Sequence, residues 1–191
     1  MKFSDLRDII SCDYDRLVHV RGGYFQRLFL CPQFNLVFWF RIMSFLKANG
    51  GISKIFYIIF LHHYKWKCAK IGIDLPIGTH IGKGVCFSHY GGVAINSSAE
   101  IGHNCLILQG VTIGSMMKNG RMLVPTIGNN VVIFAGAKIV GDVTIGDNVV
   151  IGANAVVTKD VCSGAVVAGI PAEVISMKGA EYTAWYAKGR A

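Results

Sequence analysis

The 191-residue chain is 52% hydrophobic and 16% charged, which excludes a disordered protein and leaves room for one substantial domain with a small appendage. Its net charge of +8 is uneven: residues 1–70 carry eleven Lys and Arg against four Asp and Glu (+7), and residues 71–191 carry eight against seven (+1). Six cysteines lie far apart with no CxxC pair, which excludes zinc-finger spacing and a small disulfide framework and fits reduced thiols in a cytoplasmic protein.

The opening MKFSDLRDII has acidic residues ahead of any apolar run, so it does not read as a signal peptide. Residues 1–20 predict a short amphipathic helix, opened by Ser4 with Arg7 and Asp8, in which Leu6, Ile9, Ile10 and Tyr14 share a face. Arg21-Gly22-Gly23 breaks it. Two apolar runs follow, Tyr24 to Leu46 (interrupted by Arg27, Pro32 and Arg41) and Ile55 to Leu61, with the turn Ala48-Asn49-Gly50-Gly51 between them. The second ends in His62-His63 and the cluster Lys65, Lys67, Lys70. Both runs are too short and too often charged to span a membrane. Residues 1–70 therefore read as a helical, apolar and basic segment, either packed on the rest of the chain or making peripheral membrane contact through its aromatics and cations. No recognition motif accompanies the charge, so nucleic acid is not an expected partner.

From residue 71 to 175 the sequence counts in sixes. Lead positions Leu75, Ile81, Phe87 and Val93 give way, after a two-residue slip, to Ile95, Ile101, Ile107 and Ile113, and then to Ile127, Ile133, Ile139, Ile145, Ile151 and Val157. A second small or β-branched residue follows four later, as at Val111, Val131, Ala137, Val143, Val149 and Ala155. A helix with 3.6 residues per turn scatters such positions; three short strands per triangular coil stack them inward, with Asn and Asp at the corners. The fold class is mainly β, a parallel solenoid preceded by a short α-helical segment. Residues 176–191 read as a tail with a short helix.

Two irregularities interrupt the count. The slip falls just after His89-Tyr90-Gly91-Gly92, and a loop at 114–126 leaves the coil, the fourteen residues from Ile113 to Ile127 being read as two sixes plus two. A solenoid gains no stability from either, so both are places to look for function. Among the histidines, His80 and His103 fall at ordinary corner positions, and with His89 they make no convincing metal set. Asp74 stands fifteen residues before His89, nearly one coil of about eighteen, so the two occupy neighbouring rungs. A carboxylate there can accept the Nδ1 proton and leave Nε2 as a general base.

The run DLPIGTHIGKGVCFSHYGGVAINSSAEIG, with ILQGVTIGS, AGAKIVG, IGANAVV and AGIPA following in order, resembles the serine O-acetyltransferase branch of the hexapeptide-repeat acyltransferases over Asp74 to Ile175. The resemblance implies a left-handed parallel β-helix, a homotrimer or dimer of trimers, and acetyl-CoA as co-substrate with no metal. It places the catalytic histidine on His89, its partner on Asp74, and acetyl-CoA contacts on Ser115, Ala135 and Ala153. Lys159 is a candidate for a CoA phosphate. The sequence departs from the serine enzymes in the acceptor site: their aspartate before the histidine is Ser88 here, and the Arg-His pair before the loop's closing proline is Leu123-Val124 before Pro125. Their N-terminal helical domain is also much longer. With charge partners for a zwitterion replaced, Ser88, Tyr90, Leu123 and Val124 suggest a neutral acceptor. The short apolar, basic start resembles the O-acetyltransferases of bacterial surface-polysaccharide pathways. The expectation is therefore acetylation of a saccharide hydroxyl by a cytoplasmic enzyme peripheral to the inner membrane. Serine O-acetyltransferase, acetylation of another small hydroxyl or amine acceptor, a non-catalytic scaffold and a metal-dependent hydratase are the alternatives.

Overall fold

The computed structural model describes residues 2–16, 26, 28 and 30–187. His19, the Arg21-Gly22-Gly23 break, Tyr24, Phe25, Arg27 and Phe29 lie outside the described residues.

Helix α1 (Phe3–Asp15) starts one residue ahead of the expected Ser4, because the Lys2 backbone N–H donates to the Asp5 carboxylate at 2.9 Å and closes the first turn. Its apolar face is close to the expected one: Leu6 and Ile10 are buried beside Phe34, and Tyr14 meets the Phe34 ring edge-on at 5.9 Å. Helix α2 (Pro32–Asn49) begins at the proline that interrupts the apolar run, since a first-turn position needs no N–H. Gly50 and Gly51, with φ of 61° and 53°, turn the chain into helix α3 (Ile52–Ile71), and Trp39 packs on Phe60 and His63 at 5.4 and 4.8 Å. Among the described residues no helix is long and apolar enough to cross a membrane.

The helices cap the first coil through polar anchors. Arg41 bonds Asp13 at 2.8 Å and the carbonyls of Ile81 (2.6 Å) and Gly82 (2.7 Å), while Asp13 accepts from the backbone N–H groups of Gly84 (2.7 Å) and Val85 (3.1 Å). Both side chains are buried, and each needs the other and these backbone groups to tolerate it. The Tyr64 hydroxyl donates to Leu75 O at 2.6 Å, and burial pushes its pKa far up.

The solenoid has three faces. Face A holds strands Ile73–Asp74, Val93–Ile95, Thr112–Gly114, Lys138–Val140 and Val156–Val157; face B holds His80–Ile81, Glu100–Ile101, Thr126–Ile127 and Thr144–Ile145. Face C holds Cys86–Ser88, Leu106–Leu108, Val132–Ile133, Val150–Ile151 and Val166–Ala168, closed by the antiparallel Glu173–Ser176. The aliphatic lead residues are buried in one column from Leu75 to Val167. At one corner the side chains of His103, Asn129, Asp147 and Ser163 each accept a backbone N–H from the preceding coil, at 3.1, 2.8, 2.6 and 3.0 Å. His103 is therefore a rung of the scaffold.

Register explains both irregularities. Thr126 pairs with Thr144 and Lys138 with Val156, an ordinary coil of eighteen. Ile73 pairs with Val93, twenty on, so the first coil holds the expected two extra residues. Thr112 pairs with Lys138, twenty-six on, so the loop adds eight residues to a coil. The step from Ile113 to Ile127 is thus one six plus eight, which corrects the count of two sixes plus two. The eight form a hairpin, Met116–Lys118 against Arg121–Leu123, standing off the A–B edge with Met116, Met117 and Met122 exposed.

Beyond the solenoid, helix α4 (Gly179–Ala187) returns along the outside of face C. There Tyr186 meets Phe134 edge-on at 5.8 Å and covers the outward row Leu106, Val132, Val150 and Val166.

Candidate active site

The two extra residues of the first coil make an enlarged corner between faces C and A, Ser88 to Gly92. Its backbone is unusual. Gly91 and Gly92 have φ of 86° and 70°, and His89 itself has φ of 68°. The other described non-glycine residues at positive φ are all asparagines: Asn104, Asn119, Asn130, Asn148 and Asn154. Asparagine tolerates the left-handed region because its amide bonds locally, whereas an imidazole there retains strain of about 1–3 kcal/mol. The corner thus holds His89 outward, exposed, at a cost to stability.

His89 and Ser88 line a cavity of about 260 Å³ with Arg16, Cys86, Leu106, Trp185 and Tyr186. Its walls come from three parts of the chain: the end of α1, face C of the first two coils, and α4. Burial pushes the Cys86 thiol up to about 11, against the pull of the Arg16 charge, and the Cys105 thiol likewise to about 11. A thiol held neutral at physiological pH is a poor nucleophile, so the cavity does not offer Cys86 as an acyl carrier. Burial also lowers the Arg16 pKa. Arg16, Trp185 and Tyr186 carry no motif in the sequence; only tertiary folding brings them here.

Asp74 points outward on face A, where it pairs with Ala94, while Ile73 and Leu75 on either side are buried. A Cβ built on Gly72 would lie 3.0 Å from Gly91 Cα, so the chain leading into the Asp74 strand runs against the corner that carries His89. The described hydrogen bonds and ion pairs include none between Asp74 and His89. Tyr90 turns elsewhere, into a cavity of about 470 Å³ among Trp39, His63, Trp66, Lys67 and Lys70.

The remaining sequence-predicted residues divide between two edges. Ala135 and Ala153 sit on the C–A edge that His89 begins, and backbone bonds from Gly110 N to Gly91 O (3.0 Å), Gly136 N to Gln109 O (2.9 Å) and Asn154 N to Ala135 O (2.9 Å) run along it. Side chains are minimal there: a Cβ on Gly92 would approach Gly110 Cα to 3.2 Å, and one on Gly136 would collide with Asn154 Oδ1. Ser115, Leu123, Val124 and Lys159 lie instead on the A–B edge. Ser115 Oγ accepts from Asn96 Nδ2 at 3.1 Å, and Lys159 Nζ is 3.7 Å from Glu173, both exposed.

The bacterial transferase hexapeptide (six repeats) family matches residues 125–159. A serine acetyltransferase of Synechococcus elongatus is 45% identical over 108 residues, 56% of this chain and 44% of that protein; the chain spans about half the length of the relatives it matches. Among solved structures, serine acetyltransferase of Neisseria gonorrhoeae superposes with a TM-score of 0.77 at 28% identity, covering 91% of this chain and 67% of that one. A serine acetyltransferase in complex with CoA gives 0.73 at 27% identity, covering 91% and 71%. These findings bear out the expected β-helix. They overturn the expected saccharide acceptor and polysaccharide pathway, since the relatives are named as serine acetyltransferases. The relatives' names give no support to the expected peripheral membrane contact of residues 1–70.

Proposed function

We propose that this chain belongs to the hexapeptide-repeat transferases and is an acetyl-CoA-dependent O-acetyltransferase that acetylates the hydroxyl of serine. The observation that carries the reading is His89, held in a left-handed conformation where a small, walled cavity meets the glycine- and alanine-lined C–A edge. The relatives' names supply the acceptor.

In this reading the serine hydroxyl lies in the cavity and His89 Nε2 removes its proton as the oxygen attacks the acetyl carbonyl carbon. The tetrahedral adduct collapses with cleavage of the carbon–sulfur bond, and the imidazolium returns its proton to the departing CoA thiolate. Asp74, exposed on the strand beside the corner, orients the ring and steadies the transient imidazolium. No acyl-enzyme forms, consistent with a Cys86 thiol held neutral by burial. The C–A edge, with Ala135 and Ala153, fits an extended pantetheine arm because small residues expose backbone N–H and C=O groups along a flat strip. Ser115 and Lys159 lie on the other edge of face A, and so does the hairpin with its exposed methionines. Homotrimers are the assembly of this type of protein, and a trimer would bring the hairpin edge of one subunit against the C–A edge of the next, completing the site between chains.

The test is release of free CoA thiol by the purified protein with acetyl-CoA and L-serine. Serine-dependent release that disappears in His89→Ala is expected. Release that is independent of serine, or that survives His89→Ala, would sink the proposal.

A further inference from the structure

The proposed acceptor is a zwitterion, yet Leu123 and Val124, which the sequence offers as acceptor-site residues, carry no charge. The cavity beside His89 does hold a cation. We propose that Arg16, at the end of α1, binds the acceptor's carboxylate and so sets specificity for an amino acid; this rests on the serine O-acetyltransferase reading above.

Three observations point to an anion at Arg16. The first is that its charge has no counter-ion among the described residues. Nη1 donates to Tyr186 O and Nη2 to Asn104 O, both neutral carbonyls at 3.2 Å, and Nε is buried without an acceptor among the described residues. No Asp or Glu pairs with Arg16 among the described residues, and the residues outside that description include neither amino acid. Nearby Cys86 and Cys105 are held neutral by burial, so no thiolate balances the charge. A guanidinium has five N–H donors in a planar fork, and an edge containing Nε is the shape that a carboxylate takes bidentately.

Location is the second. Arg16 lines the same cavity as His89 and Ser88, and among the described residues lining it Arg16 is the one permanent cation. A serine molecule is short enough to place its carboxylate on one wall and its hydroxyl on another of a space of about 260 Å³, which lies below the ~300–1,000 Å³ common for larger ligands. The third is the character of the walls. Leu106, Trp185 and Tyr186 give the cavity around the fork a largely apolar lining, and an ion pair formed partly out of water is both stronger and more discriminating.

Steady-state kinetics of the wild type, Arg16→Gln and Arg16→Lys, with L-serine and with L-serinamide as acceptors, test this. The amide keeps the hydroxyl and ammonium and removes the negative charge. Wild type is expected to favour serine by about 100-fold or more in kcat/KM. Arg16→Gln should raise the serine KM by about as much, change the serinamide KM at least tenfold less, and erase most of the preference, with Arg16→Lys recovering part of it. Equal losses with both acceptors would make Arg16 a structural anchor for α1 and α4 and overturn the assignment. So would a serine KM within threefold of wild type in Arg16→Gln. If Arg16→Gln fails to fold, Arg16→Lys decides by the same contrast: a higher KM for serine alone supports the assignment, and equal losses overturn it. A wild type inert toward serine would sink the serine reading and this inference together, an outcome distinct from active variants that show no contrast.

Discussion

Replacing His89 with asparagine should make the protein more stable while removing its activity. His89 sits at φ 68°, where five asparagines are the other described non-glycine residues. Left-handed backbone costs an ordinary L-residue about 1–2 kcal/mol, and asparagine escapes part of that through its own amide. The imidazole is exposed and makes no described hydrogen bond, so little packing is lost with it. The expected net gain for His89→Asn is about 0.5–1 kcal/mol, roughly 1–4 °C in Tm for a chain of this size. Loss of the general base should meanwhile lower kcat by about 10²–10⁴-fold. Chemical denaturation and thermal melts at one fixed protein concentration, beside serine-dependent thiol release, measure both. A less stable His89→Asn would show that the ring supports the corner rather than straining it. A variant that keeps its activity would remove His89 from the chemistry.

Other perturbations separate scaffold from site. Arg41→Met leaves Asp13 buried without its ion-pair partner and should cost about 3–5 kcal/mol, seen as a lower denaturation midpoint. Gly136 has φ 76° and its Cβ would strike Asn154 Oδ1, so Gly136→Ala should destabilise by more than about 1 kcal/mol and raise the KM for acetyl-CoA, measured by denaturation and initial rates. The buried thiols Cys86 and Cys105 have pKa values raised from 9.0 to about 11, so the folded state retains protons that the unfolded chain releases in that interval. Stability should therefore fall as pH rises from about 9 to 11, and the Cys86→Ala, Cys105→Ala double variant should flatten the decline in pH-dependent melts. At neutral pH a thiol reagent should label the exposed Cys162 readily and the buried Cys105 only after unfolding.

Much of the scaffold was legible because a six-residue period has one physical solution. From Ile95 onward each lead residue is buried where the count puts it. The slip after Gly92 was visible as arithmetic, but the left-handed His89 was not, since φ leaves no mark beyond the neighbouring glycines. The loop was miscounted because fourteen residues divide equally well as two sixes plus two or as one six plus eight; strand register alone decides. Arg41 read as an interruption of an apolar helix, and its partner Asp13 lies twenty-eight residues away without periodic signal. The cavity was wholly hidden. Arg16 ends a short helix and Trp185 and Tyr186 fall in what reads as a tail, yet α4 folds back over face C and brings them to His89. The same holds for the acceptor: Ser88, Leu123 and Val124 show three positions without charge, whereas a cation brought beside His89 from the end of α1 has no sequence signature.

The most direct measurement is the mass of the product formed from acetyl-CoA with a labelled acetyl group and L-serine, for the wild type beside His89→Asn. Labelled O-acetylserine from the wild type, absent with the variant, is the predicted result. Unmodified serine beside intact acetyl-CoA, or labelled acetate alone, would contradict the proposed reaction and leave the β-helix without the acceptor assigned to it.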